Sequence, residues 1–318
     1  MQTFVQEAQT DQFISAVDAT NVVRLIARAY THAPTYAERS NLLLNELLEL
    51  FQIKIVTIGL LRPTRDTPKG VASVEVVEGG HAGEMTETEQ AAMLQYFADI
   101  NRQPDPAHTM LCEMLLRDSS LRGAFAHHQL VDDDGEEWRT HRDAVRTPGN
   151  VGAELFLVTP TATPDIVGAV TLHRASRDPL FSPRDIALAS LLTQSLTPLF
   201  DMRLSERRAQ AVIEQLTPRM RDALVGILRG GSEKTIASDL QLSKHTVHEY
   251  MKRLHVAFGV STRTELLAQV LRLGITPETI LRAAAPKPLL VGETARKALR
   301  KRSAPTTKRP RTRKRAVD

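Results

Sequence analysis

The chain has 318 residues, 42% hydrophobic and 25% charged, which suits a globular protein with a sizeable core and gives a soft prior of two domains. No apolar run approaches the roughly 20 residues needed to span a bilayer. The net charge of +4 hides an asymmetry: Arg203 to Asp318 holds 25 Lys and Arg against 10 Asp and Glu, a net of +15, while Met1 to Met202 nets −11. A basic back half behind an acidic front points to a polyanionic partner, nucleic acid before anionic membrane.

Residues 1–20 are polar and unpatterned and read as a flexible lead-in. Their opening, MQTFVQEAQTDQF, has no Lys or Arg and no continuous apolar region, so a secretory signal is not expected. From Asn21 to Phe51 apolar residues recur at helical spacing (Val22, Leu25, Ile26, Ala29, then Leu43, Leu47, Leu50), and Pro34 divides them into two helices. IKIVTIGLL (53–61) is short and β-branched and reads as a strand, with RPTRDTPKG as its turn. VASVEVV (71–77) alternates and is its partner, stopping at Gly79-Gly80. Thr86 and Glu89 have capping-box spacing, so a helix follows. HTMLCEMLLRD (108–118) continues helical. Its Cys112, the only cysteine, rules out an internal disulfide, fits a reducing cytoplasm and reads as a packed, inert thiol.

Residues 129–150 read as a long loop with short helical turns. GAELFLVTP (152–160) and IVGAVTLHRA (166–175) are two more strands. FSPRDIALASLLTQSLTPLF (181–200) carries Ser182 as N-cap, Pro183 at the first helical position and Asp185 at the third, then an apolar stripe. The order predicts a mixed α+β unit with a mostly antiparallel sheet. Residues 166–200, a strand, a loop and a long helix, resemble the end of GAF domains, sensors of small molecules and signals. The resemblance implies a sensor or dimerisation domain over residues 21–202 and carries over no ligand contact. Residues 203–215, free of Gly and Pro, read as a linker helix.

Residues 216–274 divide into four short helices. Thr217 caps the first, with Pro218 at its first position, and Gly230-Gly231 stops it. Ser232 caps the second, QLS makes a tight turn, and Ser243 caps the third. Thr262 and Glu265 form a capping box for the fourth. Two helices joined by so short a turn make a helix-turn-helix, whose second member lies in the major groove. Along that member Val247, Met251, Leu254 and Phe258 share one face. Lys244, His245, His248, Glu249 and Lys252 lie around the other, which is expected to meet DNA.

The segment is similar to the LuxR-type helix-turn-helix family. LTPR (216–219), G-x-S-x-K-x-IA-x-x-L-x-LS-x-x-TV from Gly230 to Val247, and FGVSTRTEL (258–266) all fit its pattern. Two departures stand out, covering three positions. Met220 stands where the family usually has Glu, which should weaken a local charge contact. His248 and Tyr250 stand where it usually has Lys or Arg and then His, which should alter base preference or phosphate affinity. The resemblance implies a transcription regulator that binds double-stranded DNA, usually as a homodimer through the fourth helix. It places His248, Glu249 and Lys252 at base-contacting positions. Lys suits guanine O6 and N7, and Glu suits cytosine N4. Ser243, Lys244, Thr246 and Arg253 are assigned to phosphates. A sigma-factor region has a similar motif, but nothing resembling a promoter-melting domain precedes it here.

From Pro286 the chain carries 12 basic and 2 acidic residues. Residues 286–318 are expected to be a disordered arm that binds phosphates nonspecifically through Lys301, Arg302, Lys308, Arg309, Arg311, Arg313, Lys314 and Arg315. Asp132, Asp133, Asp134, Glu136 and Glu137 lack EF-hand spacing. His127, His128 and His141 lack paired metal-ligand spacing. Neither catalytic residues nor a metal or cofactor is expected, and the Trp- and Tyr-rich pattern of acyl-homoserine-lactone domains is absent, Trp138 reading as a packing residue. The expectation is a cytoplasmic, nucleoid-associated regulator with no membrane partner. Its front domain takes an unidentified small-molecule or protein effector, and RNA polymerase is a possible partner. The alternative is a constitutive DNA binder whose front domain only mediates interaction or dimerisation.

Overall fold

The computed structural model describes residues 14–66, 70–99, 105–131, 139 and 150–284. The start of the lead-in, the acidic run with Trp138 and His141, and the basic arm lie outside them.

Two helices open the described chain. In α1 (Ala16–His32) Ser15 and Asp18 form a capping box, and in α2 (Tyr36–Phe51) Thr35 and Glu38 do the same. Each box satisfies two backbone N–H groups that a helix start leaves unpaired. Pro34 lies between the helices, as its missing N–H requires. Then follow β1 (Ile55–Thr64), β2 (Ser73–Gly83), α3 (Glu87–Asp99), α4 (Pro106–Arg117), β3 (Gly123–Ala126), α5 (His127–Leu130), β4 (Ala153–Pro160) and β5 (Val167–Arg174). The strands pair antiparallel in the order β2-β1-β5-β4-β3. This is the α+β class that the strand and helix order predicts.

Alternation along the strands sets the two faces. Val56, Ile58, Leu60, Leu155, Leu157, Val170 and Leu172 point into the larger core, closed by α1, α2, α6 (Pro183–Thr193) and the first half of α7 (Thr197–Gln215). On that side a void of about 10 Å³ beside Tyr30, Arg39 and Leu196 has room for one water. On the other face Phe156, Val158, Val167 and Ala169 pack under Ala107, Leu111 and Leu115 of α4. The same face carries a polar row, His81, Thr57 and Thr171, in direct register across β2, β1 and β5. Beside it His173 Nδ1 lies 3.0 Å from Glu154 Oε1 and His173 Nε2 lies 3.3 Å from Thr57 Oγ1.

Four details of the front domain differ from the sequence expectation. Strand β1 continues through Pro63 because its pairing to β5 has ended at Leu61, so at Pro63 it has β2 alone as neighbour. Strand β2 runs through Gly79-Gly80 to Gly83, since Gly79 and Gly80 pair with Gly59 and Ile58. The short β3 and α5 occupy residues that showed no strand pattern. The long final helix is two: Pro198 lies in the first turn of a new helix, α7, after a break at residues 194–196.

Helix α7 serves two interiors. Leu199, Phe200 and Leu204 belong to the first core, and Ala209 and Ile213 to the second. Phe200 is fully buried over Gly168 of β5, where an added Cβ would lie 2.0 Å from its ring. Burying such a side chain contributes roughly 1.5–3 kcal/mol. The middle of α7 is tied to β2. Glu78 accepts from Arg203 at 2.7 Å and from Arg207 at 2.5 Å. The register shift between Leu60 and Leu61 leaves Val77, next to Glu78, as the extra residue of a β-bulge.

The second core gathers α8 (Pro218–Leu228), α9 (Glu233–Asp239), α10 (Lys244–Phe258), α11 (Arg263–Arg272) and α12 (Pro277–Ala284) around Leu224, Ile227, Ile236, Val247, Leu254, Leu266 and Val270. The fifth helix, α12, was not expected. Ile280 in it and Ile275 before it are each 1% exposed, and it packs against α8 and α7.

Candidate nucleic-acid interface

The four expected caps all form. Thr217, Ser232, Ser243 and Thr262 each accept the backbone N–H three residues on, a contact that contributes about 1 kcal/mol per helix. Between α9 and α10 the chain reverses through Gln241 at φ 55°, held by Leu242 N–H donating to Ala237 O at 2.8 Å. Helix α10 ends at Gly259, whose φ of 64° is the left-handed C-cap that glycine adopts without strain. Arg263 donates to Gly231 O at 2.7 Å and so ties α11 to the turn before α9.

Helix α10 is two-sided. Val247 and Leu254 are 0% exposed, and Met251 and Phe258 are also buried. Lys244, His245, His248, Lys252 and Arg253 are exposed, with Glu249 half-buried. His245, Glu249, Lys252 and Arg253 face away from the apolar stripe, His248 flanks it, and Lys244 stands in the first turn in line with Met251. The structure thus brings together every base- and phosphate-assigned residue of α10. Ser243 and Thr246 stand at its N-terminus with hydroxyl oxygens 2.8 Å apart, Ser243 acting as the cap. Helix N-termini favour anions, because unpaired N–H groups and the helix dipole meet there. The arm residues Lys301 to Arg315 lie outside the described residues.

Two carboxylates stand among these side chains. Lys252 Nζ is 2.9 Å from Glu249 Oε1 on the same helix, and His248 Nδ1 is 3.3 Å from Glu233 Oε1 of α9. The hydrogen bond from Lys252 holds the Glu249 carboxyl below the usual carboxylate range, helped by the charge of Lys252 and by His245 and His248. Sequence reasoning missed Glu233, which fixes the His248 ring from another helix. A Glu directly after the Ser232 cap was its only signal. It also missed Val256, an apolar side chain 83% exposed on the outward side of α10, one turn past Lys252. Of the three residues that depart from the LuxR pattern, His248 is exposed and the other two are accommodated by packing. Met220 is buried in the second core and Tyr250 packs against its edge.

A capped helix, a tight turn and a helix that hides its apolar side while presenting cations define a helix-turn-helix DNA-binding domain. Residues 214–270 match the family model of bacterial regulatory proteins, luxR family, and this segment is a LuxR-type DNA-binding domain. The chain is 29% identical over 152 residues to the nitrate/nitrite response regulator protein NarL of Escherichia coli K12, covering 47% of this chain and 61% of the relative. It therefore spans about three fifths of the length of the curated relatives it matches. Among solved structures, Escherichia coli SdiA aligns with 81% of this chain and 98% of its own, at 15% identity and a TM-score of 0.37. The phycoerythrobilin-bound GAF domain of a cyanobacterial phytochrome aligns with 61% of this chain and all of its own, at 14% identity and a TM-score of 0.32. No described helix is long and apolar enough to cross a membrane.

Proposed function

We propose that this chain is a transcription regulator that lays α10 in the major groove of double-stranded DNA. The observation that carries the reading is the division of α10 into a buried apolar side and an exposed cationic one. In this reading His248, Glu249 and Lys252 meet base edges. Lys244 and Arg253 neutralise phosphates, with Ser243 and Thr246 at the helix start. Two copies bind together through α11, where Leu271 is 73% exposed, and so span two half-sites. Residues 21–202 form the sensor or dimerisation domain, 203–215 the linker, 216–274 the DNA-binding unit and 286–318 the arm. The bound protein sits on the nucleoid in reach of RNA polymerase.

Selection against a randomised duplex library tests the reading. The full chain is expected to enrich one motif, and Glu249→Ala to change it. Lys244→Ala is expected to weaken binding on all sequences and to lower the log-affinity versus log-salt slope by about 1. Absence of any retention on duplex DNA in dilute buffer would refute it.

The front domain, in this reading, takes an effector on the sheet face that carries His81, Thr57, Thr171, His173 and Glu154. The second reading is that the front domain only mediates protein contacts. Thermal-shift screening of the full chain against small molecules separates them: a reproducible stabiliser supports the sensor.

A further inference from the structure

Glu249 and Lys252 stand one turn apart on the outward side of α10, their side chains 41% and 60% exposed. A lone carboxylate facing a phosphate-lined groove would be repelled. Here Lys252 lies at 2.9 Å and His245 and His248 are close, so the local field stays favourable to the anion. Each side chain limits the freedom of the other. Together they present one acceptor and one donor about a hydrogen-bond length apart. An ionised carboxylate only accepts, and an ammonium only donates.

The major-groove edges of the base pairs differ in how they complement such a couple. In a C·G pair the cytosine N4 amino group donates at one end, and guanine O6 and N7 accept in sequence beside it. Acceptor and donor on the protein then each find a partner on a single base pair. In an A·T pair the one donor, adenine N6, lies between two acceptors, N7 and thymine O4, with the thymine methyl beyond. A carboxylate aimed at N6 meets lone pairs on both sides. Resting on the function proposed above, we propose that Glu249 and Lys252 act as one reading unit for a single C·G base pair in each half-site. The carboxylate accepts from cytosine N4, and the ammonium donates to O6 or N7 of the paired guanine.

The test selects the full chain and its Glu249→Gln and Lys252→Met variants against the same randomised duplex library at fixed salt. The unaltered chain is expected to require one C·G pair per half-site, with any replacement there weakening binding roughly five- to a hundred-fold. Glu249→Gln is expected to move that position, and no other, to A·T, because an amide both donates and accepts and matches adenine N6 and N7. Lys252→Met is expected to relax the same position without giving it a new preference. Both side chains lie outside the core, so the variants should melt with the parent and bind their own selected sequences. A parent motif without such a C·G pair, or one that Glu249→Gln leaves unchanged, overturns the proposal and leaves major-groove binding standing. Failure of the parent chain to enrich any motif overturns both.

Discussion

Asp18 shows how much one side chain does in the front domain. Its carboxylate accepts from Ser15 N–H at 3.2 Å, completing the cap of α1, and from Arg184 at 2.5 and 3.1 Å, joining α1 to α6. The hydrogen bond from Arg184, aided by Ser15, brings its pKa from 3.8 down to about 2. A carboxyl held low in the folded state contributes stability that is whole above its unfolded value and is lost as pH falls through the folded one. Asp18→Asn is therefore expected to lower the urea midpoint at pH 7. The gap to the parent chain should close between about pH 4 and pH 2. Glu89, brought to about 2 by Lys54, Thr86 and Asn150, titrates in the same direction. A gap that stays constant with pH would show that Asp18 acts by packing alone. The cap was not visible from the sequence, because Ser15 and Asp18 lie in a stretch whose apolar spacing starts only at Val22. The caps of α8 to α11 were visible, each standing directly before an apolar period.

At the scale of elements, legibility followed local chemistry. Strands β1, β4 and β5 are rich in Val, Ile and Leu and could be read directly. Strand β3, Gly-Ala-Phe-Ala, has little β-propensity of its own and exists through its pairing with β4. Helix α12 had readable signals, Thr276 and Pro277 ahead of Ile280, but they followed a unit that already fitted four helices. The break before α7 was also written in Pro198 and was overridden by the continuous apolar stripe. What α7 gains from that break is a new direction that seats Phe200 on Gly168. Phe200→Ala is expected to cost about 3–5 kcal/mol. Gly168→Ala, which drives a methyl into the ring, should cost about 1–3 kcal/mol. Denaturant midpoints of the two variants check both values, and a neutral Gly168→Ala would show that the helix yields. The buried stripe of α10, Val247, Met251, Leu254 and Phe258, was legible because helical spacing alone separates it from the exposed residues. Glu233 was not, because its contact to His248 crosses between helices.

For the molecule as a whole, the charge split places nearly all the excess cation behind Met202. The folded DNA-binding unit can offer phosphates only the cations of its outward side. The arm from Pro286 adds a net of +10. Each phosphate contact releases counterions and steepens the salt dependence. Deletion after Ala285 is expected to make the log-affinity versus log-salt slope markedly shallower while leaving the selected motif unchanged. A slope that does not move would remove the arm from DNA binding.

Because α7 passes unbroken from one hydrophobic interior to the next, it fixes an angular phase between them. An α-helix advances about 100° and 1.5 Å per residue. One alanine inserted after Arg208 would keep Glu78 gripping Arg203 and Arg207, yet would swing everything beyond by about a quarter turn. Four inserted residues would return the distal side to within roughly 40° of its old bearing. Spin-label distances between the two units should therefore change more in direction-sensitive pairs for the single insertion than for the fourfold one. The opposite ranking would mean that α7 is no more than a tether.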